Sequence, residues 1–342
     1  MKKAFKILIL LLVIILIVGG FSAFFLYSNF LKNNVSNDTV LYINHNSSFD
    51  AIMDSLKKND ALVNYVSFQR ISKIKKYENN IKSGRYKLKK GMNNRQIVNM
   101  LISGNQSPIR VYIPSTYTIK NFCIAVAKNF EFSMEDLYNI VTNSDSLKKY
   151  GFNKQTFAAM IIPDTYEFYW NISADEFLQR MKKEYDNFWT ENRLKKAKEI
   201  GLTKIDVSTL ASIVQAEQGM HPDERPIIAG LYLNRLKKGI PLQADPTVLF
   251  AIGDPHKTRV YLEDTKIDSP YNTYMYKGLP PGPILIPEVR SIDAVLNHDK
   301  NNYIFMCAKE DFSGYHHFST NISQHTYYAN LYHKALNEAG IR

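Results

Sequence analysis

The chain has few of the residues that staple or metallate a fold. Its 342 residues include two cysteines, Cys123 and Cys307, with no C-x-x-C pair. That spacing excludes a disulfide framework and a cysteine zinc site. One long-range bridge is open to it, but two buried free thiols are the expectation. There is no H-E-x-x-H, no phosphate-cradling glycine loop and no G-x-S-x-G elbow, so the usual metalloprotease, nucleotide-hydrolase and serine-hydrolase readings fall away. His317 and His325 lack a third convergent ligand, so neither a metal nor a cofactor is expected. Acids are outnumbered, 32 Asp and Glu against 43 Lys and Arg, giving a formal charge of +11.

Charge of either sign is missing from residues 7–26, a run of twenty. At about 1.5 Å per residue it spans roughly 30 Å, the thickness of a bilayer hydrocarbon core. A cleaved signal peptide would have an apolar stretch of only about 7–15 residues followed by a small-x-small site, and no clear one follows. No cysteine lies nearby to carry a lipid. The expectation is an uncleaved single-pass anchor in the cytoplasmic (inner) membrane, with Lys2, Lys3 and Lys6 in the cytoplasm by the positive-inside bias. Everything after about Ser28 would be extracytoplasmic or periplasmic. What remains is long enough for packed units with cores of their own.

Residues 40–110 hold thirteen Lys and Arg against four acids, a surplus of nine. A basic module commonly meets nucleic acid. Beyond a membrane an anionic envelope polymer or lipid headgroups fit better, and no nucleic-acid partner is expected. In the first part of the chain after residue 28, a short β-type run ends in polar residues, and a Ser, Asn or Thr then caps an amphipathic helix. The template fits Ile43…Ser48…Ile52, Leu88…Asn93…Ile97 and Ile113…Thr118…Phe122. It predicts helices over 49–57, 94–102 and 119–128. The stretch Tyr86-Lys-Leu-Lys-Lys-Gly-Met-Asn-Asn-Arg-Gln-Ile97 resembles the LysM module, with Met92-Asn93 in place of that module's Asp-Thr. Residues 134–200 read as polar-amphipathic helices, broken at Pro163-Asp164 by a turn. From 241 to 318 the chain turns to Gly, Pro, Asn and Tyr with short alternating runs, which predicts loops and strands around a substrate groove.

One carboxylate stands where a helix should be apolar. Leu210, Ile213 and Val214 lie at helical spacing on one face, and Glu217 is the next position on that stripe. Gly219 reads as the stop, placing Glu217 in the last turn at the negative end of the helix dipole. Partial burial and the dipole both disfavour the ionised form, so its pKa should rise toward the range of a general acid. The rival reading is an exposed Glu at a frayed end. A start signal at His221-Pro-Asp-Glu-Arg-Pro226 predicts a second amphipathic helix through Ile227, Ile228, Leu231, Tyr232 and Leu236, stopping at Gly239.

Four clusters follow: Leu242-Gln-Ala-Asp-Pro-Thr-Val248, Ser269-Pro-Tyr-Asn-Thr-Tyr274, Gly278-Leu-Pro-Pro-Gly-Pro-Ile284, and His316-His-Phe-Ser-Thr-Asn321 with His325. Read singly, Gln243 and Asp245 form a turn pair and 271–274 a half-buried strand. In their order after Glu217, and with Asn234-Arg235-Leu236, they closely resemble the MltG/YceG family of membrane-anchored endolytic murein transglycosylases. The likeness covers nearly the whole chain. In that family the motif reads Ala-Ser-Ile-Val-Glu-x-Glu, whose second Glu is catalytic. Here Gln215 replaces the first, and Glu217 takes the second place. Ala158-Ala159 stand where the family often has Glu-Gly.

The resemblance implies an α+β fold. It would comprise a single transmembrane helix at 1–30, a LysM-like βα subdomain at 38–108, a βα and helical connecting region at 109–200, and at 201–342 a helical catalytic core flanked by antiparallel hairpins. It implies endolytic cleavage of peptidoglycan between N-acetylmuramic acid and N-acetylglucosamine, leaving 1,6-anhydro ends. Glu217 would be the lone acid and base. Gln243, Asp245, Tyr271, Asn272, Tyr274 and His317 would position the glycan, while Asn234, Arg235 and Asp164 hold the fold. Partners would be glycan strands, the membrane, and cell-wall synthesis or division proteins. Two alternatives stay open: a muramidase-type hydrolase with Asp245 or Asp164 as second carboxylate, and a non-catalytic peptidoglycan-binding or assembly factor.

Overall fold

The computed structural model describes residues 2–341 except 255 and 258. Its elements mix helices with short antiparallel hairpins behind an apolar N-terminal helix. The chain divides into two units. One holds the chain up to Val111 together with Glu167–Ile172, and the other holds Tyr112–Tyr166 and everything from Ser173 onward.

In the first unit, α1 (Lys2–Leu26) runs into a π-helical turn, Tyr27–Leu31. It is the one helix among the described residues long and apolar enough to cross a bilayer. Then come β1 (Thr39–Ile43), α2 (Phe49–Lys58), α3 (Tyr65–Ile74), β2 (Gly84–Leu88), α4 (Asn94–Ser103) and β3 (Ile109–Tyr112). β1 pairs antiparallel with β2, Thr39 opposite Leu88 and Ile43 opposite Gly84. The two-residue period turns Leu41, Ile43, Tyr86 and Leu88 inward, onto Leu56, Phe68, Ile71, Ile97 and Leu101 from the helices. Each helix expected from the strand–cap–helix template starts at its cap. Ser48 Oγ accepts from Ala51 N, and Asn93 closes a capping box with Gln96. The segment 167–172 belongs to this unit: the Trp170 ring meets Tyr42 edge-on, 4.9 Å between centroids, and Asn171 Nδ2 donates to Ser83 Oγ at 2.8 Å.

A polar knot joins the end of α1 to α3 and α4. Asn94 Nδ2 donates to Asn29 O (2.8 Å) and Ser67 Oγ (2.9 Å), and its Oδ1 accepts from Asn34 Nδ2 (2.7 Å). Arg70 Nη1 donates to Asn29 Oδ1 (2.9 Å). Asn29, Asn34, Ser67 and Asn94 are all buried. Four satisfied polar groups in one place define a single geometry for the chain as it leaves α1.

The second unit is helical. Its elements are α5 (Ile119–Ala127, capped by Thr118), α6 (Met134–Val141), α7 (Ser144–Lys148), α8 (Phe157–Met160), β4 (Thr165–Phe168, which crosses the boundary), α9 (Ala174–Phe188), α10 (Glu191–Glu199), α11 (Lys204–Glu217), α12 (Arg225–Lys237), α13 (Asp245–Ile252), α14 (Val289–Leu296), β5 (Phe305–Ala308), β6 (His316–Ser319) and α15 (Ile322–Glu338). The central helix is α11, with α8, α10, α12, α13 and α14 packed around it. The sequence predicts an apolar stripe, but every residue from Val207 to Gln215 is buried. Small Ser208, Ala211 and Ser212 let neighbours close in on all sides, and their hydroxyls find backbone partners: Ser208 Oγ donates to Lys204 O, and Ser212 Oγ to Thr209 O while accepting from Ile284 N.

Residues 241–318 differ from the loop-and-strand expectation, because α13 and α14 lie within them. Pro246 is the second residue of α13, where a helix tolerates and even favours proline. The run 271–274 is a turn, not a strand. Only β5 and β6 form the expected hairpin, Phe305 opposite Ser319 and Ala308 opposite His316. Both cysteines are free thiols, Cys123 buried in α5 and Cys307 half-buried in β5.

Candidate active site

α11 ends on Glu217, and the chain turns at Gln218. Gly219 is not the left-handed stop its position suggested; the Gln218 side chain makes the turn instead. Its Oε1 accepts from Met220 N and His221 N (3.1 and 3.0 Å), and its Nε2 donates to Glu224 Oε2 (2.7 Å) and Gly314 O (2.9 Å). One buried amide thereby sets the path on which the carboxyl of the preceding residue sits.

Glu217 is half-buried. Its Oε1 accepts from Tyr232 Oη at 2.7 Å, from a buried tyrosine one turn before the end of α12. Burial pushes the carboxyl up, the Tyr232 hydrogen bond draws it down, the negative Asp245 raises it again and His316 opposes; the outcome is about 7. Burial of Tyr232 beside Glu217 pushes the phenol far up, so it stays a donor.

Asp245 opens α13, exposed, and accepts from Tyr274 Oη. Burial and then this bond raise the Tyr274 phenol. Gln243 is exposed with φ of 51°, a left-handed conformation that a side chain rarely adopts, and its Oε1 accepts from Arg235 Nη2. Arg235 is buried and also donates to Pro241 O and Ile304 O, 2.9 Å each. Glu217, Asp245 and Tyr274 therefore form one electrostatic group, with Gln243 two residues before Asp245.

Two expected contacts lie elsewhere. Asn272 is fully buried: Nδ2 donates to Thr265 O (2.9 Å) and Ile267 O (2.8 Å), and Oδ1 accepts from Tyr274 N (3.0 Å). Its amide is used by the turn that carries Tyr271 and Tyr274. His317 bonds Glu310 Oε2 at 2.7 Å and stacks on Tyr328. The histidine felt by Glu217 is its neighbour His316, because successive residues of β6 face opposite ways. His316 Nδ1 lies 2.7 Å from Glu224 Oε2, and its backbone N donates to Glu224 Oε1 at 2.9 Å. Burial would raise Glu224, but the His316 ring, the His316 backbone and Gln218 together hold it below the ordinary range.

Gln215 is buried and does what a carboxylate cannot, donating and accepting at once. Nε2 donates to Ser115 Oγ (3.0 Å), and Oε1 accepts from Glu288 N (2.7 Å) and Ser291 Oγ (3.0 Å). Arg225, also buried, joins the group through Glu288 Oε2 (2.8 Å) and Ser291 Oγ (2.9 Å). A largely apolar cavity of about 850 Å³ has Thr118, Ala158, Ala216, Phe250, Tyr271 and Leu285 in its wall. Ala216 immediately precedes Glu217, and Tyr271 tilts against Phe250 with centroids 4.6 Å apart. Ala158, one of the two alanines that depart from the family pattern, is on this wall. Among the described residues, no group of three His, Cys, Asp or Glu is placed to hold a metal ion.

The sequence profile of the YceG-like family matches residues 41–330. The chain belongs to the YceG-like family. An endolytic murein transglycosylase of Bacillus subtilis (strain 168) is 31% identical, covering 94% of this chain and 92% of that protein. An endolytic murein transglycosylase of Streptococcus pneumoniae serotype 2 is 27% identical over 77% of this chain but only 52% of its own, longer sequence. Among solved structures, a YceG-like protein of Listeria monocytogenes superposes with a TM-score of 0.55 at 27% identity, covering 85% of this chain and 98% of that one. Sequence reasoning missed three residues of this YceG-like site: Tyr232, His316 and Gln218. Tyr232 was visible only as one more apolar member of a helical stripe.

Proposed function

We propose that the protein is a membrane-anchored peptidoglycan lytic transglycosylase that cuts within glycan strands, with Glu217 as its single acid and base. The observation that carries this reading is a half-buried carboxyl poised at about 7 in a chain whose family relatives are endolytic murein transglycosylases. Glycosidases ordinarily need two carboxylates; a sugar's own 6-hydroxyl can replace the second one's work. Glu217 gives its proton to the glycosidic oxygen as the bond to C1 of N-acetylmuramic acid breaks. The 6-hydroxyl oxygen then bonds to C1 and its proton returns to Glu217, leaving a 1,6-anhydro ring and no net change in the enzyme.

With Oε1 held by Tyr232, the second oxygen is left to carry the proton. A positioned acid and base of this kind contributes roughly 10²–10⁴-fold in rate. Asp245, within electrostatic reach of Glu217, would stabilise the positive charge that develops on the sugar. Gln243, Tyr271 and Tyr274 would position sugar and acetamido groups. Asn272 and His317 would act at a distance, by shaping the loop and hairpin that carry their neighbours.

The remaining assignments follow the same reading. Residues 1–30 anchor the chain in the cytoplasmic membrane with the N-terminus inside. Residues 38–108 form a LysM-like, glycan-holding subdomain, supported by its capped strand–helix units and basic surface. Residues 109–200 connect to the catalytic region at 201–342, where cell-wall synthesis or division proteins could be met outside the membrane.

The test is digestion of purified sacculi by the full chain, with mass spectrometry of the products. Glu217→Gln should keep the fold and lose turnover; undiminished turnover would remove Glu217 from the mechanism. The nearness of Asp245 to Glu217 also suits a hydrolase, and product mass separates the two, anhydro ends being lighter by one water. Binding without any solubilised fragment would instead indicate a glycan-binding or assembly factor.

A further inference from the structure

The side of α3 that looks away from its core leaves large apolar side chains exposed. Phe68 and Ile71 point into the first unit, fully buried, whereas Val66 and Ile74 are 64% and 54% exposed, and Val63, just before the helix, is 69% exposed. Val66, Arg70 and Lys73 recur at helical spacing along this outer side, and Ile74 flanks them. No acid occurs in α3. Arg70 fixes the level of this face relative to the anchor. Its guanidinium bonds Asn29 Oδ1 at 2.9 Å and lies over the Phe25 ring, 5.6 Å from the centroid. Phe25 is the second-last residue of α1, at the end of the apolar run that matches the hydrocarbon core in length. The buried Asn29–Asn94–Ser67 knot makes that level a fixed one.

We propose that α3 is a membrane-surface helix: its outer face, Val63, Val66 and Ile74 with Arg70 and Lys73, beds into the headgroup layer of the leaflet from which α1 emerges. This rests on the reading of α1 as a transmembrane anchor. The occupant follows from continuity, because a face held beside the last turn of a spanning helix shares that helix's surroundings. The composition agrees. Two valines and an isoleucine suit the acyl boundary, and two cations on a helix without an acid suit lipid phosphates, the Arg70 charge held beside the end of α1 and the exposed Lys73 head reaching outward. The bilayer therefore carries the first unit on two supports, a helix through it and a helix upon it. That arrangement sets both the height and the tilt of the unit.

Nitroxide accessibility on the full chain decides the matter. With Cys123 and Cys307 replaced by alanine, a spin label is placed at Val66→Cys, at Val63→Cys as a second reporter, and at Asp54→Cys on α2 as a reference. The protein is reconstituted in phosphatidylglycerol–phosphatidylethanolamine nanodiscs. The ratio of oxygen to nickel-chelate accessibility should be several-fold higher at positions 66 and 63 than at 54. A ratio at 66 and 63 equal to that at 54 overturns the proposal while leaving the anchor intact. Shielding from both reagents would mean that a protein covers the face, and overturns it equally. Failure of the chain to float with vesicles of the same lipids would overturn the anchor reading and this one together.

Discussion

At the scale of single residues, the proposed mechanism turns on how the pKa of Glu217 is raised to about 7 without the side chain being sealed off. As the proposed acid its carboxyl must be protonated, so activity on sacculi should hold below about pH 7 and fall tenfold per unit above it. Tyr232→Phe removes a donor that favours the charged form, so it should move this alkaline limb upward while preserving the buried volume; an unmoved limb in an active variant would deny the hydrogen bond any part in tuning the acid. Stability carries the opposite signature. The folded pKa of about 7 lies above the roughly 4.3 of an unfolded glutamate. Wild type therefore loses stability as pH climbs through that window. Glu217→Gln does not titrate, so its melting temperature should pull ahead of wild type between pH 5 and 8, by about 2–4 °C for each kcal/mol. A constant gap across that range would contradict the raised pKa. His316→Ala should behave differently, because it takes the ring from the buried Glu224 carboxylate and leaves it the residue-316 backbone N–H and Gln218 Nε2. Loss of one hydrogen-bond partner of a buried polar group typically costs about 1–3 kcal/mol, visible as a lower melting temperature near neutral pH.

At the scale of elements, the termini of helices were the most legible feature and their surroundings the least. Ser48, Asn93 and Thr118 announce α2, α4 and α5 because a cap is a local interaction, complete within three residues. The total burial of α11 was hidden, since Ser208, Ser212 and Gln215 read as a polar side until their partners, Lys204, Thr209, Ser115 and Ser291, arrive. α13 was obscured by Pro246, which punctuates a loop and opens a helix with equal ease. Glu217 was legible because a carboxylate on an apolar stripe is anomalous, while Tyr232 on the same kind of stripe is not. In the hairpin, two adjacent histidines give one-dimensional reading no means of choosing the face, and the pleat chose His316. Gly230 offers a test at this scale. Alanine is the better helix former by about 1 kcal/mol, yet a Cβ there would sit 2.3 Å from Asp299 O. The contact is with main chain, which cannot swing aside, so Gly230→Ala should lower the melting temperature. A rise would show that the segment around Asp299 yields.

At the scale of the whole molecule, the basic surplus between residues 40 and 110 should make sacculus binding salt-sensitive. Co-sedimentation of the Glu217→Gln chain should fall as salt rises from about 0.1 M to 1 M, where the Debye length shrinks from about 10 Å to 3 Å. Binding indifferent to salt would assign the affinity to sugar contacts alone. A different consequence follows from the short return of the chain through Glu167–Ile172 into the first unit. Scissors applied once, after Val111, would not yield two clean halves. The downstream fragment would keep a hexapeptide whose Trp170 has lost its Tyr42 neighbour, an apolar barb inviting clumping. The upstream fragment would lose the strip that covers one flank of its hairpin. Excision for separate study thus requires replacing that hexapeptide as well as choosing an end.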